Sequence, residues 1–272
     1  MLSVQLNGHT IDYDVSGPRS GAADAHPPLL LLTGWCQDHR LFRRVVDLLS
    51  EGRRVIRMDW RGHGADRSET GEFGPAEQAD DAIALLDHLG VEQVVPVSTS
   101  HGGWANLEIA DRLGAARIPR VVVIDWLMLE APADFLAGLR VSYHPETWRE
   151  GRQALFDEWL AAADCPPVTE HLTEEMGGFG FEMWARSCRV IEAAYLKWGS
   201  PRARMAAFEE PRPIVHLYSQ PAFEGYHDVQ REFSVGNPWF SSEWLAGHTH
   251  FPTLESPAEI SARILAFADG SA

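Results

Sequence analysis

The sequence predicts an α/β protein in which helices flank a mostly parallel central sheet and a helical cap is inserted after the sixth strand. Short apolar runs alternate with segments of helical spacing, and each run is apolar throughout, as in a parallel sheet that is covered on both faces. This alternation stops after Asp125 and resumes at Ile214–Tyr218. The chain therefore divides into a core, residues 1–126 and 209–272, and a cap, residues 127–208.

Each element follows from its local pattern. Two short alternating runs around Asn7-Gly8, residues 3–6 and 10–15, indicate a β-hairpin. The strands expected from apolar runs are residues 29–32, 54–58, 94–97, 120–124 and 214–218. Helical spacing predicts core helices at residues 77–89, 104–113 and 258–267. Within the cap, helices are expected at residues 148–163, 168–176 and 181–197.

The composition restricts the classes of function. A formal net charge of -16 at pH 7 argues against nucleic acids and anionic membranes as partners, because the field of the protein would repel polyanions. Cys36, Cys165 and Cys188 are widely spaced, which fits neither a disulfide framework nor a zinc cluster. The N-terminus lacks the pattern of a signal peptide, and no window has the apolar length of a membrane helix. We therefore expect a cytoplasmic protein.

The segment VSTSHGGW, residues 97–104, comes at the end of a predicted strand and opens a predicted helix. It resembles the G-x-S-x-G turn that exposes a nucleophilic serine, although Ser98 occupies the position of the first glycine. The helix that follows supplies backbone N–H groups and the positive end of its dipole. Ser100 is therefore a candidate catalytic residue, and a helix N-cap is the alternative interpretation.

Asp125 and His250 complete a candidate set with Ser100. Asp125 ends the strand that follows Ser100, and His250 lies near the end of the sequence, so the three occur in the order nucleophile, acid, base. That order is typical of the α/β-hydrolase fold, which is the fold that we expect for this chain. No aspartate directly follows the strand at residues 214–218, and Glu224 and Asp228 are weaker candidates for the acid.

The candidate base is His250 and not His248, because HFPTLESP, residues 250–257, matches the usual histidine loop of hydrolases. A second loop, TGWC at residues 33–36, follows the first central strand. There the backbone N–H of Trp35, with that of His101, would form an oxyanion hole. We expect the segment RGHG, residues 61–64, to form a rigid turn near the site without a catalytic role.

Several segments, from core and cap alike, resemble the cofactor-independent 2,4-dioxygenases of 3-hydroxy-4(1H)-quinolones, of the 3-hydroxy-4-oxoquinaldine dioxygenase kind. DWLM at residues 125–128 and WREG at residues 148–151 are the most discriminating, because ordinary esterases have no need of them. The other segments that carry the resemblance are residues 32–40, 60–64, 98–104, 174–176, 189–192 and 249–252.

The resemblance implies an enzyme without metal or other cofactor. Such an enzyme cleaves the ring of a 2-alkyl-3-hydroxy-4(1H)-quinolone with O2 and releases an N-acylanthranilate and carbon monoxide. His250 would remove the 3-hydroxyl proton, and Asp125 would orient His250 and stabilise its imidazolium. Ser100 would hydrogen-bond the substrate without forming an acyl-enzyme. With His250 as the base, kcat/KM should fall on the acid side of the pKa of this residue.

The resemblance also implies a flat apolar pocket. Its expected walls, for which ordinary core packing is the alternative, are Trp35, Leu127, Phe135, Leu155, Trp159, Met176, Trp184 and Ile191. The quinaldine enzymes carry histidine where this chain has Gln37 and Thr99, and both positions should flank the substrate. This difference leaves the base in place, so it concerns the identity of the substrate. A long 2-alkyl chain, such as the heptyl group of the Pseudomonas signal, is our expectation.

Two other classes of function remain open. A serine hydrolase would use Ser100, Asp125 and His250 to cleave an ester or amide, whereas a non-catalytic receptor would only bind its ligand. The expected partners are a small heteroaromatic molecule and O2, with no nucleic acid and no membrane. The expected assembly is a monomer or a small homo-oligomer.

Overall fold

The computed structural model describes residues 1–18, 26–67 and 71–270. Its strands are β1 (Leu2–Leu6), β2 (His9–Ser16), β3 (Leu29–Leu32), β4 (Val55–Met58), β5 (Val95–Thr99), β6 (Val121–Ile124), β7 (Ile214–Tyr218) and β8 (Phe240–Trp244). They form one sheet in the order β1-β2-β4-β3-β5-β6-β7-β8. Only β1–β2 and β2–β4 are antiparallel pairs, so the prediction of a mostly parallel sheet is confirmed.

Helices flank this sheet as the sequence predicts. The helices are α1 (Val46–Ser50), α2 (Pro75–His88), α3 (Gly102–Arg117), α4 (Ala133–Tyr143), α5 (Trp148–Leu160), α6 (Pro166–Glu170), α7 (Phe181–Trp198), α8 (Pro201–Ala206), α9 (Tyr226–Gly236), α10 (Pro252–Glu255) and α11 (Pro257–Ala268). In the core, α2 packs against α3, and α1 packs against α11. Every residue of β3, β5, β6 and β7 is buried as a result.

The helices α4 to α8 lie between β6 and β7, at the predicted position of the insertion. The prediction of a single helix at residues 168–176 is wrong. The helix α6 is followed by a π-helical turn, His171–Glu175, and a 3-10 turn, Met176–Gly178. Gly177 and Gly178 end this stretch, as their low helix propensity favours. Within the residues that the structure describes, no helix is long and apolar enough to cross a membrane.

Candidate active site

Three neighbouring strands, β3, β5 and β6, place the candidate residues at one edge of the sheet, because they are parallel and end on the same side. Shortly after these strands come three residues with a left-handed backbone, Cys36 with φ 56°, Ser100 with φ 49° and Asp125 with φ 43°. Residues other than glycine adopt this conformation at a cost, and such positions cluster at functional sites. The backbone therefore marks the same edge that the sequence marks.

The turn at Ser100 has the predicted form. The N–H of Ser100 donates to the carbonyl of Ile124 at 2.8 Å, and the carbonyl of Ser100 accepts from Gly103 at 3.0 Å. A Cβ atom at Gly102 would lie 2.2 Å from the carbonyl oxygen of Thr33, so this position requires glycine. Ser98 is fully buried and its hydroxyl accepts a hydrogen bond from Asn106 at 2.9 Å. A small residue is sufficient at that position, and a glycine is not needed.

His250 is the histidine that reaches Ser100. Its Nε2 atom lies 3.0 Å from the Ser100 hydroxyl oxygen. The imidazole stacks on the indole of Trp159, with ring centroids 5.5 Å apart and planes inclined by 20°, and the backbone N–H of His250 donates to the Trp159 carbonyl at 2.8 Å. His248 is exposed instead, and its backbone N–H donates to Glu255. Trp159, a residue of the insertion, thus fixes the position of the candidate base.

Asp125 faces the other side of the His250 ring. Its Oδ2 atom lies 4.0 Å from Nδ1 of His250, a distance that has to shorten by about 1 Å for a hydrogen bond. The carboxylate accepts from the backbone N–H groups of Ser219 and Gln220 and lies 2.9 Å from the Ser219 hydroxyl.

The two weaker candidates for the acid point elsewhere. Glu224 is exposed, and Asp228 is exposed and pairs with Arg231 at 2.9 Å. The structure therefore brings together Ser100, His250 and Asp125, and it leaves Glu224 and Asp228 at the surface.

Burial controls the charges of this set. It lowers the pKa of His250 to about 4, so the imidazole is neutral and can accept a proton at neutral pH. Burial raises the pKa of Asp125 to about 7, against the N–H groups of Gln220 and Ser219, which lower it. The Ser219 hydroxyl has a single proton for two neighbouring oxygens, Asp125 Oδ2 at 2.9 Å and the Thr249 carbonyl at 2.7 Å. A protonated Asp125 satisfies both contacts.

The loop after β3 presents backbone donors beside Ser100. The N–H of Cys36 donates to Nε2 of His63 at 3.1 Å, and the other ring nitrogen of His63 contacts the Arg61 carbonyl at 3.0 Å. His63 belongs to the RGHG segment, whose expected role as a rigid turn agrees with these bonds. In the part of the chain that the structure describes, the N–H groups of Trp35 and His101 have no acceptor. Both donors are thus free to bind an oxyanion.

A narrow cavity opens beside Ser100. Nine of its lining residues were predicted for the site: Trp35, Gln37, Ser100, His101, Phe135, Leu155, Trp159, Trp184 and Ile191. Sequence reasoning missed four others, Cys36, Leu139, Ser187 and Cys188. Only Phe135 and Trp159 are half-buried, and the remaining lining residues are buried. About 30 Å³ of the cavity is open to the centre of a water molecule, which is room for about two or three waters.

Three predicted residues lie behind the lining and not in it. The carbonyl of Leu127 accepts from the Tyr195 hydroxyl at 2.8 Å, and Met176 lies behind Gln37, with its sulfur 3.8 Å from the side-chain nitrogen. Thr99 lies beneath the loop after β3, where its hydroxyl accepts from the N–H of Gly34 at 3.0 Å. His250 borders the cavity through Ser100 and Trp159, both of which line it.

A second hollow lies outside this cavity, between α4 and α5. This outer groove has a volume of about 600 Å³ and shares two lining residues with the cavity, Phe135 and Leu155. These two side chains therefore form a wall between the cavity and solvent. Within residues 1–18, 26–67 and 71–270, no three His, Cys, Asp or Glu side chains form a group that could hold a metal ion.

Known proteins are similar to this chain over nearly its whole length. The sequence model of the family described as "Alpha/beta hydrolase family" matches residues 29–263. The 2-heptyl-3-hydroxy-4-quinolone dioxygenase AqdC2 of Rhodococcus erythropolis is 46% identical over 98% of this chain and 97% of its own. The 1H-3-hydroxy-4-oxoquinoline 2,4-dioxygenase of Pseudomonas putida is 43% identical over 98% and 99%. An AqdC variant, solved with its substrate in work on ring cleavage of the Pseudomonas quinolone signal, superimposes with a TM-score of 0.95 at 42% identity, covering 99% of both chains.

Proposed function

We propose that this chain, which belongs to the alpha/beta hydrolase family and within it to the cofactor-independent 3-hydroxy-4-quinolone 2,4-dioxygenases, cleaves the ring of a 2-alkyl-3-hydroxy-4(1H)-quinolone with O2. The products are an N-acylanthranilate and carbon monoxide. The observation that carries this proposal is the 46% identity, over 98% of the chain, with an enzyme named for a 2-heptyl-3-hydroxy-4-quinolone. The geometry of the site supports the role of each residue in this reaction.

The reaction begins with proton transfer to His250. Its neutral imidazole takes the 3-hydroxyl proton, because burial lowers the pKa of this residue to about 4 and leaves a nitrogen free to accept. The imidazolium that forms lies 4.0 Å from Asp125. Asp125, whose pKa of about 7 leaves about half of the population as carboxylate at neutral pH, stabilises this charge in that form, and the contact shortens, as is common when a catalytic hydrogen bond tightens on substrate binding.

The anionic ring then reacts with O2. A bond forms between O2 and the ring carbon that bears the alkyl group, and the terminal peroxide oxygen attacks the 4-carbonyl carbon. The O–O bond and the two bonds that join the 3-carbon to its ring neighbours then break, and the 3-carbon leaves with its own oxygen as CO. The two oxygen atoms of O2 remain in the amide and the carboxylate of the product, so the atoms balance. The N–H groups of Trp35 and His101 hold the carbonyl oxygen where negative charge collects.

A serine hydrolase is the second candidate, and one observation favours it. The distance of 3.0 Å between His250 Nε2 and the Ser100 hydroxyl is the distance that an activated nucleophile requires. In the dioxygenase, the same hydroxyl donates to the substrate oxygen and forms no covalent bond. The two functions therefore share their residues and differ in what Ser100 does.

Oxygen uptake by the chelator-treated protein tests the proposal. The substrates are 3-hydroxy-4(1H)-quinolones with 2-substituents from methyl to nonyl, and CO release is measured in parallel. We expect His250→Ala to reduce turnover about 10²- to 10⁴-fold. The matched control, His248→Ala at an exposed neighbour, should retain full activity. Tight quinolone binding by the wild-type protein without O2 uptake would indicate a receptor.

Replacement of Ser100 separates the dioxygenase from the hydrolase. A dioxygenase keeps much of its turnover as Ser100→Ala, whereas a hydrolase loses nearly all of it. Labelling of Ser100 by a fluorophosphonate, together with an inactive Ser100→Ala variant, would contradict the dioxygenase.

The proposal also covers the bounds of the cap, the assembly, the cellular location and the 2-alkyl group of the substrate. We assign residues 127–208 to the cap, supported by the position of α4 to α8 between β6 and β7. We propose a monomer or small homo-oligomer that acts in the cytoplasm, supported by the cysteine spacing and the charge of the chain. For the 2-alkyl group we propose a long chain such as heptyl, which the name of the Rhodococcus relative supports.

A further inference from the structure

Two side chains of the segment DWRGHG, residues 59–64, bind the loop after β3. The indole N–H of Trp60 donates to the carbonyl of Thr33 at 2.9 Å. The Nε2 atom of His63 accepts from the backbone N–H of Cys36 at 3.1 Å. Both side chains are buried, so water does not readily replace them as partners of the loop. The loop is therefore held at two points, and the expected oxyanion donor lies between them.

Three consecutive peptide groups make up this part of the loop. The first, Thr33–Gly34, is fixed at both ends, because its carbonyl accepts from Trp60 and its N–H donates to two side-chain oxygens at 2.8 and 3.0 Å. The third, Trp35–Cys36, is fixed by the bond from its N–H to His63. In the part of the chain that the structure describes, the N–H of the second, Gly34–Trp35, has no acceptor. The free donor thus lies between two peptides that are held.

The backbone of Cys36 depends on its bond to His63. Its φ of 56° is left-handed, a conformation that costs energy in residues other than glycine. A turn of the Trp35–Cys36 peptide would relax this angle, but it would withdraw the N–H of Cys36 from His63. Because Cys36 is fully buried, that N–H would lose its partner, so the acceptor on His63 opposes the turn. His63 therefore holds the backbone directly after Trp35.

The ring of His63 is itself fixed for this task. Its Nδ1 atom lies 3.0 Å from the carbonyl of Arg61, which can only accept, so the ring proton is on Nδ1 and Nε2 is left to accept from Cys36. Burial lowers the pKa of His63 to about 4, which keeps the ring neutral at neutral pH. Arg61 is anchored in turn, because its guanidinium donates to the fully buried Asp81 at 2.6 and 2.7 Å.

The held part of the loop lies beside the reacting groups. A Cβ atom built on Gly34 would be 3.3 Å from Cβ of Ser100, so the peptide that joins Gly34 to Trp35 begins next to Ser100. The ring of Trp35 stacks on Phe73 with centroids 5.4 Å apart, and the His63 ring meets it edge-on at 6.1 Å. Among the described residues, those that line the cavity include Trp35 and Ser100 but not His63. His63 therefore reaches the site only through the loop.

We propose that His63 is a positioning residue for this reaction, which holds the N–H of Trp35 toward the oxygen on which negative charge collects by accepting from the next N–H, that of Cys36. This inference rests on the proposed function, which supplies that oxygen. It gives the RGHG segment a part in the reaction beyond that of a rigid turn. Since the charge on the oxygen grows after binding, loss of the acceptor should slow turnover more than it weakens binding.

The test compares kcat from O2 uptake with anaerobic binding of the 2-heptyl compound, both per folded protein. His63→Phe keeps an aromatic ring and removes the acceptor of Cys36. We expect kcat to fall about 10- to 100-fold, somewhat less than the loss of an oxyanion donor costs, while the dissociation constant changes less than about threefold. His63→Asn, which can still donate to Arg61 but is too short to reach Cys36, should behave alike and decides the matter if His63→Phe does not fold.

His63→Gln is the conservative variant, because its side-chain oxygen can take the place of Nε2, and it should keep kcat within about threefold of the wild type. Ile264→Ala, at a buried position of α11, is the control for lost stability and should lower the melting temperature without changing kcat. Wild-type kcat in folded His63→Phe or His63→Asn would overturn the inference alone. So would a loss in His63→Gln or in Ile264→Ala as large as in His63→Phe. Wild-type protein that takes up no O2 with any quinolone would instead contradict the proposed function.

Discussion

Acidification from pH 7 to pH 5 should destabilise this protein strongly, because it buries several neutral histidines. Burial lowers the pKa of His63 and His250 to about 4, and that of His101 and His216 to about 3. Three of these rings, His63, His101 and His216, also accept a hydrogen bond from a backbone or indole N–H at 3.1 to 3.3 Å. A proton on the accepting nitrogen would set two donors against each other.

The sign of the effect follows from where the protons bind. Below the usual histidine pKa of 6.5, the unfolded chain takes up a proton at each of the four positions, and the folded protein does not until the pH reaches its lowered value. The free energy of unfolding is therefore not reduced by these four histidines above pH 6.5, and it decreases as the pH falls below that value. Each histidine lowers the free energy of unfolding by about 2 kcal/mol between pH 7 and pH 5.

Asp125 opposes this loss in part. Its pKa is raised from 3.8 to about 7, so the folded protein binds a proton here that the unfolded chain lacks, and stability rises by about 2 kcal/mol over the same interval. The raised pKa of His39, caused by its hydrogen bond to Asp59, acts in the same direction. Because each histidine contributes slightly less than about 2 kcal/mol, the four together lose about 7 kcal/mol, which leaves a net loss of about 5 kcal/mol. That is comparable with the whole stability of many domains, about 5–15 kcal/mol.

Urea unfolding at pH 7, 6 and 5 measures this loss, and the 10 tryptophans of the chain supply the fluorescence signal. Replacement of His216 by Gln should reduce the net loss between pH 7 and pH 5 from about 5 to about 3 kcal/mol, whereas His248→Gln at an exposed position should not change it. A loss below about 2 kcal/mol between pH 7 and pH 5 would refute the reasoning, since four neutral buried histidines cannot produce so small a change.

Four further outcomes follow from the site. Gly103→Ala should lower stability by about 1–3 kcal/mol in thermal unfolding, because its Cβ would lie 2.3 Å from the Trp126 ring, and unchanged stability would contradict this packing. Asp125→Asn should lower kcat/KM about 100-fold with little effect on anaerobic substrate binding, because the imidazolium of His250 loses its counter-charge. In folded protein, kcat/KM should show no acid inflection from His250 above about pH 5, which rapid-mixing assays from pH 5 to 8 would check. Phe135→Ala should raise the ratio of kcat/KM for 2-nonyl over 2-methyl substrates, because it opens the wall to the outer groove; an unchanged ratio would argue against that wall.

Much of the core was predictable, because its strands are continuous apolar runs. Leu29–Leu32 and Ile214–Tyr218 have the expected bounds, and all their residues are buried. Phe240–Trp244 was not predicted, because its sequence FSSEW pairs with a neighbour on one side only and keeps polar residues. Residues 168–176 have the apolar spacing of a helix. The changes of helix type in this segment depend on packing against the rest of the protein, which the local sequence does not reveal.

Some residues of the site could be predicted from local sequence signals, and others could not. Ser100, Asp125 and His250 were found from strand ends and chain order, which are local signals. Cys36 and Ser187 were not assigned to the cavity, because their contact at 3.2 Å joins residues 151 positions apart. The orientation of the Gln37 amide was equally out of reach, since it depends on hydrogen bonds with Gly34 and Thr99 that only the folded chain forms.

The position of Phe135 and Leu155 between the cavity and the outer groove has a consequence for the order of events in turnover. Phe135 and Leu155 separate the cavity from the outer groove, so movement of these two side chains opens a path along which the quinolone enters. The observed association rate should then level off at high substrate concentration, at the frequency with which this wall opens. Once the ring fills the cavity, little room is left for bulk water, while O2 is small and apolar. A cavity filled by the ring thus favours oxidation of the anion over its protonation by solvent.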